Sequence, residues 1–449
     1  MFRPSTANDI IGIFEYADFL GVTIGMRGAG RSYGDASINS ENILLDLSRF
    51  NKILDWNPDI GIIKVESGVT IKQLWEYIID DGWWPPVVSG TMFPTLGGAL
   101  AMNIHGKNNF CMGPIGDHVL EFEIYLPIGE VLKCTPTENS DLFYSAIGGC
   151  GLIGCFLSIT FKLKKIYSGL LEIEAINTNT LSEMFEYFKN NLDKSDYLVG
   201  WIDAFAKGKS LGRGEIHKAN YLSKNEDINP AQTLRIENQN LSDNIFGIIP
   251  KSILWKFMKP INNNIGMKFV NWAKWFSSKI LDKGKSYFQS HVAFAFLLDY
   301  VPNWKLSYGK YGLIQYQSFI PEDNALEVFQ KQITLSQQKG IPPFLAVFKR
   351  HREDKFLLSH AVNGYSLALD FKLTKSNNSK IQELTKELNK IVIEAKGKFY
   401  FAKDSTLNKE DVKSFLEMNK IQEFTFIKNK YDPKGILQTD LSKRLFGWK

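Results

Sequence analysis

Cysteine is scarce in this chain. Four stand among 449 residues (Cys111, Cys134, Cys150 and Cys155), irregularly spaced and with no Cys-x-x-Cys pair. That excludes a disulfide framework and argues against structural zinc. Internal repeats and low-complexity tracts are absent, which removes solenoids and disordered tails. An uninterrupted apolar leader is absent too, because Glu15 and Asp18 break the only apolar stretch near the N-terminus, so no signal peptide is expected. One uncharged run, Leu142 to Phe161, has the length of a membrane span. It holds four glycines, and its end alternates Leu157, Ile159, Phe161 against Ser158, Thr160, Lys162, which is strand periodicity. No transmembrane helix is expected, and the protein is placed in the cytoplasm or peripherally at the inner membrane.

Basic charge is not spread along the chain as a nucleic-acid groove needs. The net charge is +5, yet residues 251–285 alone hold eight lysines, no arginine and one acid, Asp282. That stretch exceeds the whole chain's net charge and leaves the remainder slightly acidic. No nucleic-acid partner is expected.

The composition is that of a globular protein, with 44% hydrophobic and 22% charged residues, and the length suits two or three domains. The first ~165 residues read as short, glycine-rich elements. A helix is expected over 8–21, strands over 22–26, 43–47 and 62–66, and a helix over 71–80. Longer elements follow: helices over 181–191, 323–339 and 379–395, and strands over 198–205, 313–319, 344–349 and 366–373. Short antiparallel-looking strands alternating with helices predict an α+β class. From Gly397 the chain returns to short apolar pieces.

Three glycine clusters carry the chemistry. Arg27-Gly28-Ala29-Gly30-Arg31-Ser32-Tyr33-Gly34-Asp35 has the make-up of an anion-binding turn, but its spacing is not that of a dinucleotide fingerprint and a strand, not a helix, follows. Gly90-Thr91 with Thr95-Leu96-Gly97-Gly98 runs on into Asn103-Ile104-His105-Gly106-Lys107-Asn108. Gly149 to Gly154 matches GxGxxG literally, with helix and strand reversed around it. Any one cluster can be a set of tight turns. Three within ~130 residues, interleaved with Ser, Thr, Asn and Arg, point to a phosphate-bearing cofactor.

These runs, with Phe348-Lys349 and Ala402-Lys403-Asp404-Ser405, resemble in order the FAD-binding superfamily of vanillyl-alcohol oxidase and para-cresol methylhydroxylase. Within it they are most similar to the decaprenylphosphoryl-β-D-ribose 2′-oxidase family. The resemblance implies a two-domain PCMH-type fold: an FAD-binding domain at 1–168, a substrate domain at 169–397 built on an antiparallel sheet flanked by helices, and a C-terminal segment at 398–449 returning to the first. The family normally carries a short segment ahead of the Met1-Phe2-Arg3-Pro4 at which this chain begins, implying a missing strand. Many superfamily members bind flavin covalently through a His where Arg31 stands, so non-covalent FAD is expected. Arg27 to Asp35, Gly90, Thr95, Leu96, Gly97, Gly98, Asn103, Ile104, His105, Gly154 and Tyr400 are its expected contacts, with backbone donors of 27–35 and 95–98 on the pyrophosphate.

His105 and Lys403 are the expected catalytic pair, since His exchanges protons near neutrality and a buried Lys can be tuned there. Tyr33, Lys107, Trp201, Gln315, Gln317 and Lys349 are the expected substrate contacts by the same resemblance. Plainer readings stand beside these: Lys403 as a surface partner of Asp404, Gln315 and Gln317 as a solvated sheet face, Trp201 as core. Ala368 and Ser366 stand where many family members have Cys and Asn. His217, His351 and His360 carry no motif and read as surface.

The resemblance implies FAD-dependent oxidation of the 2′-hydroxyl of a polyprenyl-phosphoryl-ribose, with a short-chain reductase completing epimerisation to arabinose for the cell wall and quinone or O2 accepting electrons. The alternative is an aldonolactone or polyol oxidase acting on a soluble sugar. Within 251–285, Ile265, Phe269, Trp272, Phe276 and Ile280 form a stripe at helical spacing with Lys268 and Lys279 beside it. It reads either as core with a solvated lysine face or as a contact with an anionic membrane surface.

Overall fold

Strand periodicity at Leu157–Phe161 is the key to the first half of the chain. The computed structural model describes residues 1–245, 249–281 and 285–448. In it the uncharged run becomes a helix, Ser140–Ala146, then a turn with positive φ at Gly148, Cys150 and Gly151, then the strand Cys155–Lys162. That strand lies at the centre of a five-stranded antiparallel sheet, and seven of its eight residues are buried. Burial on both faces, not a bilayer, explains its lack of charge. Its neighbours are Ile62–Glu66 and Val119–Tyr125, with Ile53–Asn57 and Val131–Cys134 at the edges. Among the described residues no helix is long and apolar enough to cross a membrane.

A separate parallel pair, Ile24–Arg27 with Ile43–Asp46, launches the first glycine turn. The helix Ala7–Leu20, started by a Thr6–Asp9 capping box and stopped by Gly21 at φ 64°, packs Ile10, Phe14 and Ala17 against this pair. Ile24 also donates its N–H to Ile436 O (2.7 Å) and accepts from Gln438 N (3.0 Å), so the C-terminal residues lie along the first strand.

The second half forms an eight-stranded sheet, antiparallel throughout, in the order Ser286–Ser290, Leu170–Thr178, Gly214–Tyr221, Tyr197–Ile202, Leu345–His351, Gly364–Lys372, Leu313–Pro321, Lys398–Phe399. The helices Leu181–Asn191, Glu322–Gln338 and Asn378–Glu394 cover one face. Side chains alternate between faces, so Ala346, Phe348, Leu367 and Leu369 pack towards the helices while Val347, Lys349, Ala368 and Asp370 point the other way. The class is therefore α+β with a large antiparallel sheet.

The tail differs from the short apolar pieces expected. It folds as three helices, Lys409–Phe415, Met418–Tyr431 and Asp440–Phe446. Phe424, Ile427 and Tyr431, spaced three and four apart, are the buried stripe that few apolar residues sufficed to make. Arg444, on the last helix, ties the ends together. Its guanidinium donates to both Asp35 oxygens (2.7 and 2.8 Å), to Asp404 Oδ2 (2.8 Å) and to Leu407 O (2.6 Å). Removing it strands two part-buried carboxylates, at a cost of about 3 kcal/mol. Arg444→Met should lower the urea midpoint accordingly, with Arg444→Lys falling between; a variant as stable as the parent would show the bridge to be incidental.

Candidate active site

One large cavity, about 920 Å³, lies between the glycine turns and the open face of the eight-stranded sheet. Register brings its polar wall together. Glu215 pairs across strands with Trp201, Trp201 with Val347, Val347 with Ala368 and Ala368 with Gln317. One row thus spans five strands, and Lys349, Asp370 and Gln315 stand on the same face in the adjacent rows. The expected residues Arg27, Gly28, Ala29, Gly30, Arg31, Ser32, Tyr33, Gly90, Thr95, Gly97, Gly98, Ile104, His105, Lys107, Gly154, Trp201, Gln315, Gln317, Lys349, Tyr400 and Lys403 all line this cavity.

Four expected residues do not. Gly34 packs its backbone against the C-terminal segment, where a Cβ would lie 1.9 Å from Asp404 O, and Asp35 is held by Arg444. Leu96 is core, and Asn103 turns its Oδ1 to the N–H of Gly116 (3.0 Å). The expected donors of 95–98 are also engaged elsewhere. Leu96 N donates to Val69 O (2.7 Å), Gly97 N to Ser67 O (2.8 Å) and Gly98 N to Thr95 Oγ1 (3.3 Å). These groups cap and seat a short helix, so this loop supplies shape more than free donors. Gly28 is fixed for the same reason, since a Cβ there would meet Thr95 Oγ1 at 2.0 Å.

Seven cationic side chains line the cavity (Arg27, Arg31, Lys107, Lys274, Lys305, Lys349 and Lys403) against two carboxylates. Both carboxylates are committed: Glu215 pairs with Lys274 (3.2 Å), while Asp299 accepts from Thr91 Oγ1 (2.7 Å) and Met92 N (2.8 Å). Lys107, Lys305, Lys349 and Lys403 have no ion-pair partner among the described residues. Lys107 donates to Phe294 O and lies over the Phe294 ring. Lys403 does not pair with Asp404. Its Nζ lies 3.8 Å from the centre of the Tyr33 ring, and Lys305 Nζ lies 4.0 Å from the same ring. Desolvation, with Lys349 and Lys305 nearby, pulls the Lys403 ammonium down to about 7 against the opposing pull of Asp370. Desolvation likewise takes Lys107 to about 7 and Lys349 to about 8.

His351 and His360 are not surface residues as expected; both are buried, and His217 lines the cavity. His105 Nδ1 lies 2.9 Å from His360 Nε2, and its Nε2 lies 3.2 Å from Gln317 Nε2. Gln317 donating to Nε2 leaves the proton on Nδ1, pointing to His360. Desolvation and nearby Lys349 hold His105 well below the usual imidazole range, and desolvation takes His360 to about 3, so both are neutral at pH 7. His351 pairs with Asn109 Oδ1 (3.0 Å) and accepts from Ser366 Oγ (2.7 Å). No motif marks these two histidines; only the fold brings them beside His105. Asp370 was missed as well. It donates nothing, accepts from Gln315 Nε2 (2.6 Å), and desolvation raises its carboxyl to about 6. Its place two residues after Ala368 on an expected strand was the available signal.

Residues 1–135 match the FAD binding domain family. Decaprenylphosphoryl-β-D-ribose oxidase of Mycolicibacterium smegmatis is 30% identical over 428 residues, covering 93% of this chain and 88% of that protein. The chain belongs to the decaprenylphosphoryl-β-D-ribose oxidase family. More distant similarity reaches D-arabinono-1,4-lactone oxidase of Yarrowia lipolytica (25% over 216 residues, 47% of this chain and 40% of that protein) and cytokinin dehydrogenase 3 of Oryza sativa (27% over 238 residues, 51% and 44%). As a member of the decaprenylphosphoryl-β-D-ribose oxidase family the protein is an FAD-dependent oxidoreductase.

The residues present fit that cofactor. The glycine turn leaves its backbone open along one arm of the cavity, Arg27 and Arg31 offer charge to a pyrophosphate, and Ser67 Oγ, buried in the wall, has no hydrogen-bond partner among the described residues. The lysines also set a pH dependence of stability. Between pH 7 and 8.5 Lys107 and Lys403 lose their remaining protons in the folded state, while unfolded lysines keep theirs up to about 10.4. The unfolded chain therefore binds more protons and stability rises with pH in this window. Flavin-depleted protein should show a rising urea midpoint from pH 7 to 8.5, with a shallower rise in Lys403→Met; parallel lines for the two would contradict the assignment.

Proposed function

We propose that the protein oxidises the 2′-hydroxyl of a polyprenyl-phosphoryl-β-D-ribose to the 2′-keto sugar, the first half of an epimerisation to the arabinose of cell-envelope glycans. One observation carries the reading: Lys107, Lys349 and Lys403, none of them ion-paired among the described residues, converge with Gln315, Gln317 and His105 on a single cavity. Ammonium groups without a carboxylate suit a phosphodiester, and paired amides suit sugar hydroxyls. The relative named above, whose name specifies the same sugar, supports it.

In this reading residues 1–168 and 398–449 hold FAD and residues 169–397 hold the sugar phosphate. Bound FAD supplies the acceptor for a hydride leaving carbon. Lys403, half neutral at pH 7, takes the hydroxyl proton at Nζ, and Asp370 on the open face of the sheet stabilises the ammonium that forms. His105, neutral and held through Nδ1 by His360, offers Nε2 to the hydroxyl in place of Gln317; Lys107 and Lys349 take the phosphodiester, Trp201 and Tyr33 the sugar faces. FAD is held without a covalent bond, because the Arg31 guanidinium cannot form one. Quinone or O2 accepts the electrons, and a separate short-chain reductase reduces the keto sugar. A prenyl tail keeps such a substrate in a bilayer, so the reading requires a surface that meets a membrane.

Anaerobic mixing with a prenyl-phosphoryl ribose should bleach the flavin absorbance. The rate should rise with pH through a midpoint of about 7 and level off roughly one unit above it, and Lys403→Met should slow it about 100-fold or more without releasing FAD. Bleaching by an aldonolactone but not by the prenyl-phosphoryl ribose would replace this reading with that of a soluble-sugar oxidase. Acid precipitation should leave all the flavin in the supernatant; yellow precipitate would disprove the non-covalent mode.

A further inference from the structure

The helix Asn264–Leu281 leaves a long apolar stripe in solvent. Its inner face is hydrogen-bonded to the eight-stranded sheet: Asn271 Nδ2 donates to Phe344 O (3.4 Å), Trp275 Nε1 to Thr178 O (3.0 Å), and Asn177 Nδ2 to Ser278 Oγ (2.9 Å). Asn271 and Ser278 are 2% and 4% exposed. On the opposite side stand Ile265 at 84% exposure, Phe269 at 63%, Trp272 at 42%, Phe276 at 44% and Ile280 at 49%. At 3.6 residues per turn these five share one stripe, and Phe269, Trp272 and Phe276 stack along it with ring centres 5.9 and 5.2 Å apart. The core reading of this stripe is therefore wrong: Met267, Asn271, Trp275 and Ser278 face inward and the five-residue stripe is in solvent.

The patch does not end with this helix. On the preceding one, Leu254–Ile261, Phe257, Met258 and Ile261 are exposed as well. That helix packs on the turn Trp304–Tyr308, whose Trp304, Lys305 and Leu306 form part of the cavity wall, with Asn262 Nδ2 bonding Ser307 Oγ (3.2 Å). Around the apolar side chains Lys256, Lys259, Lys268, Lys279 and Lys285 are exposed, and the described part of the segment from Lys251 to Lys285 contains no acid. Asp282 and Lys283 lie outside the described residues.

An exposed aromatic face flanked by lysines is what an anionic phospholipid surface binds: apolar side chains enter the acyl boundary while ammonium groups stay at the phosphates. A protein partner of matching chemistry would need a compensating acidic rim, and a second copy of this chain would set lysines against lysines. We propose that residues 251–281 dock the enzyme on an anionic bilayer, with the helix Asn264–Leu281 lying in the plane of the interface, and that this brings the cavity wall at Trp304–Leu306 to the membrane surface. The helix carries this proposal whether or not the substrate is prenylated.

Flavin-loaded protein should co-sediment with vesicles containing phosphatidylglycerol, weakly or not at all with pure phosphatidylcholine, and less at high salt. The triple variant Phe269→Ser, Trp272→Ser, Phe276→Ser should bind the anionic vesicles roughly tenfold or more weakly, while bleaching with a short-chain, water-soluble substrate is unchanged. Those side chains are solvent-exposed, so folding is not at stake, and the soluble assay separates a docking failure from a failure of the proposed reaction. Absence of vesicle binding by the parent protein, or equal binding by the variant, overturns the proposal. So does a parent that sediments as a dimer and a variant that sediments as a monomer, since a second copy would then cover the face.

Discussion

Lysine ammonium groups recessed in one cavity with no carboxylate in ion-pair contact among the described residues are the constraint on which the rest of this structure depends. Lys107, Lys349 and Lys403 are held there at the expense of their proton affinity, which falls to about 7 or 8. A structure organised for stability alone would pair or remove them. Keeping them unpaired makes sense where an anion completes the site, and the family's cofactor and the proposed substrate each bring phosphate to it.

The rigid element that keeps the lysines in place is the eight-stranded sheet. Its register puts Lys349, Asp370, Gln315 and Gln317 on one face, while helices press on the other. Lys403 and Tyr33 come from distant ends of the chain and meet because Tyr33 N bonds Ala402 O (2.9 Å) and Arg444 joins Asp35 to Asp404. The Tyr33 ring then faces two ammonium groups at once. The histidine triplet is tied into this wall, with His105 lining the cavity. His105 contacts His360 and Gln317, and Gln317 in turn approaches Ser366, which bonds His351. Ala368 leaves this network intact, because it faces the cavity and bonds none of its members.

Much of this was legible in the sequence because it rests on local periodicity and on spacing. The strand Ile62–Glu66 and the helix Leu181–Asn191 fall at the expected residues, and the alternation of Gln315 and Gln317 correctly placed both on one face. What was not legible depends on long-range contact. His351 and His360 sit in no motif, and their burial is decided by Phe319 and Tyr400 packing around them. The donors of Leu96, Gly97 and Gly98 looked free in sequence but are claimed by Val69, Ser67 and Thr95. The helix Asn264–Leu281 shows the limit most clearly, since an apolar stripe looks the same whether it faces core or solvent, and only the hydrogen bonds of Asn271, Trp275 and Ser278 decide which.

Lys107 and Lys349, in the proposed reaction, are unpaired in order to take phosphate. The direct measurement is calorimetric titration of the flavin-loaded protein with a short-chain prenyl-phosphoryl ribose and with the uncharged prenyl riboside of the same chain length. The phosphodiester should bind roughly tenfold or more tightly, with the difference shrinking in Lys349→Met and at high salt. Equal affinity of the charged and uncharged ligands would contradict it.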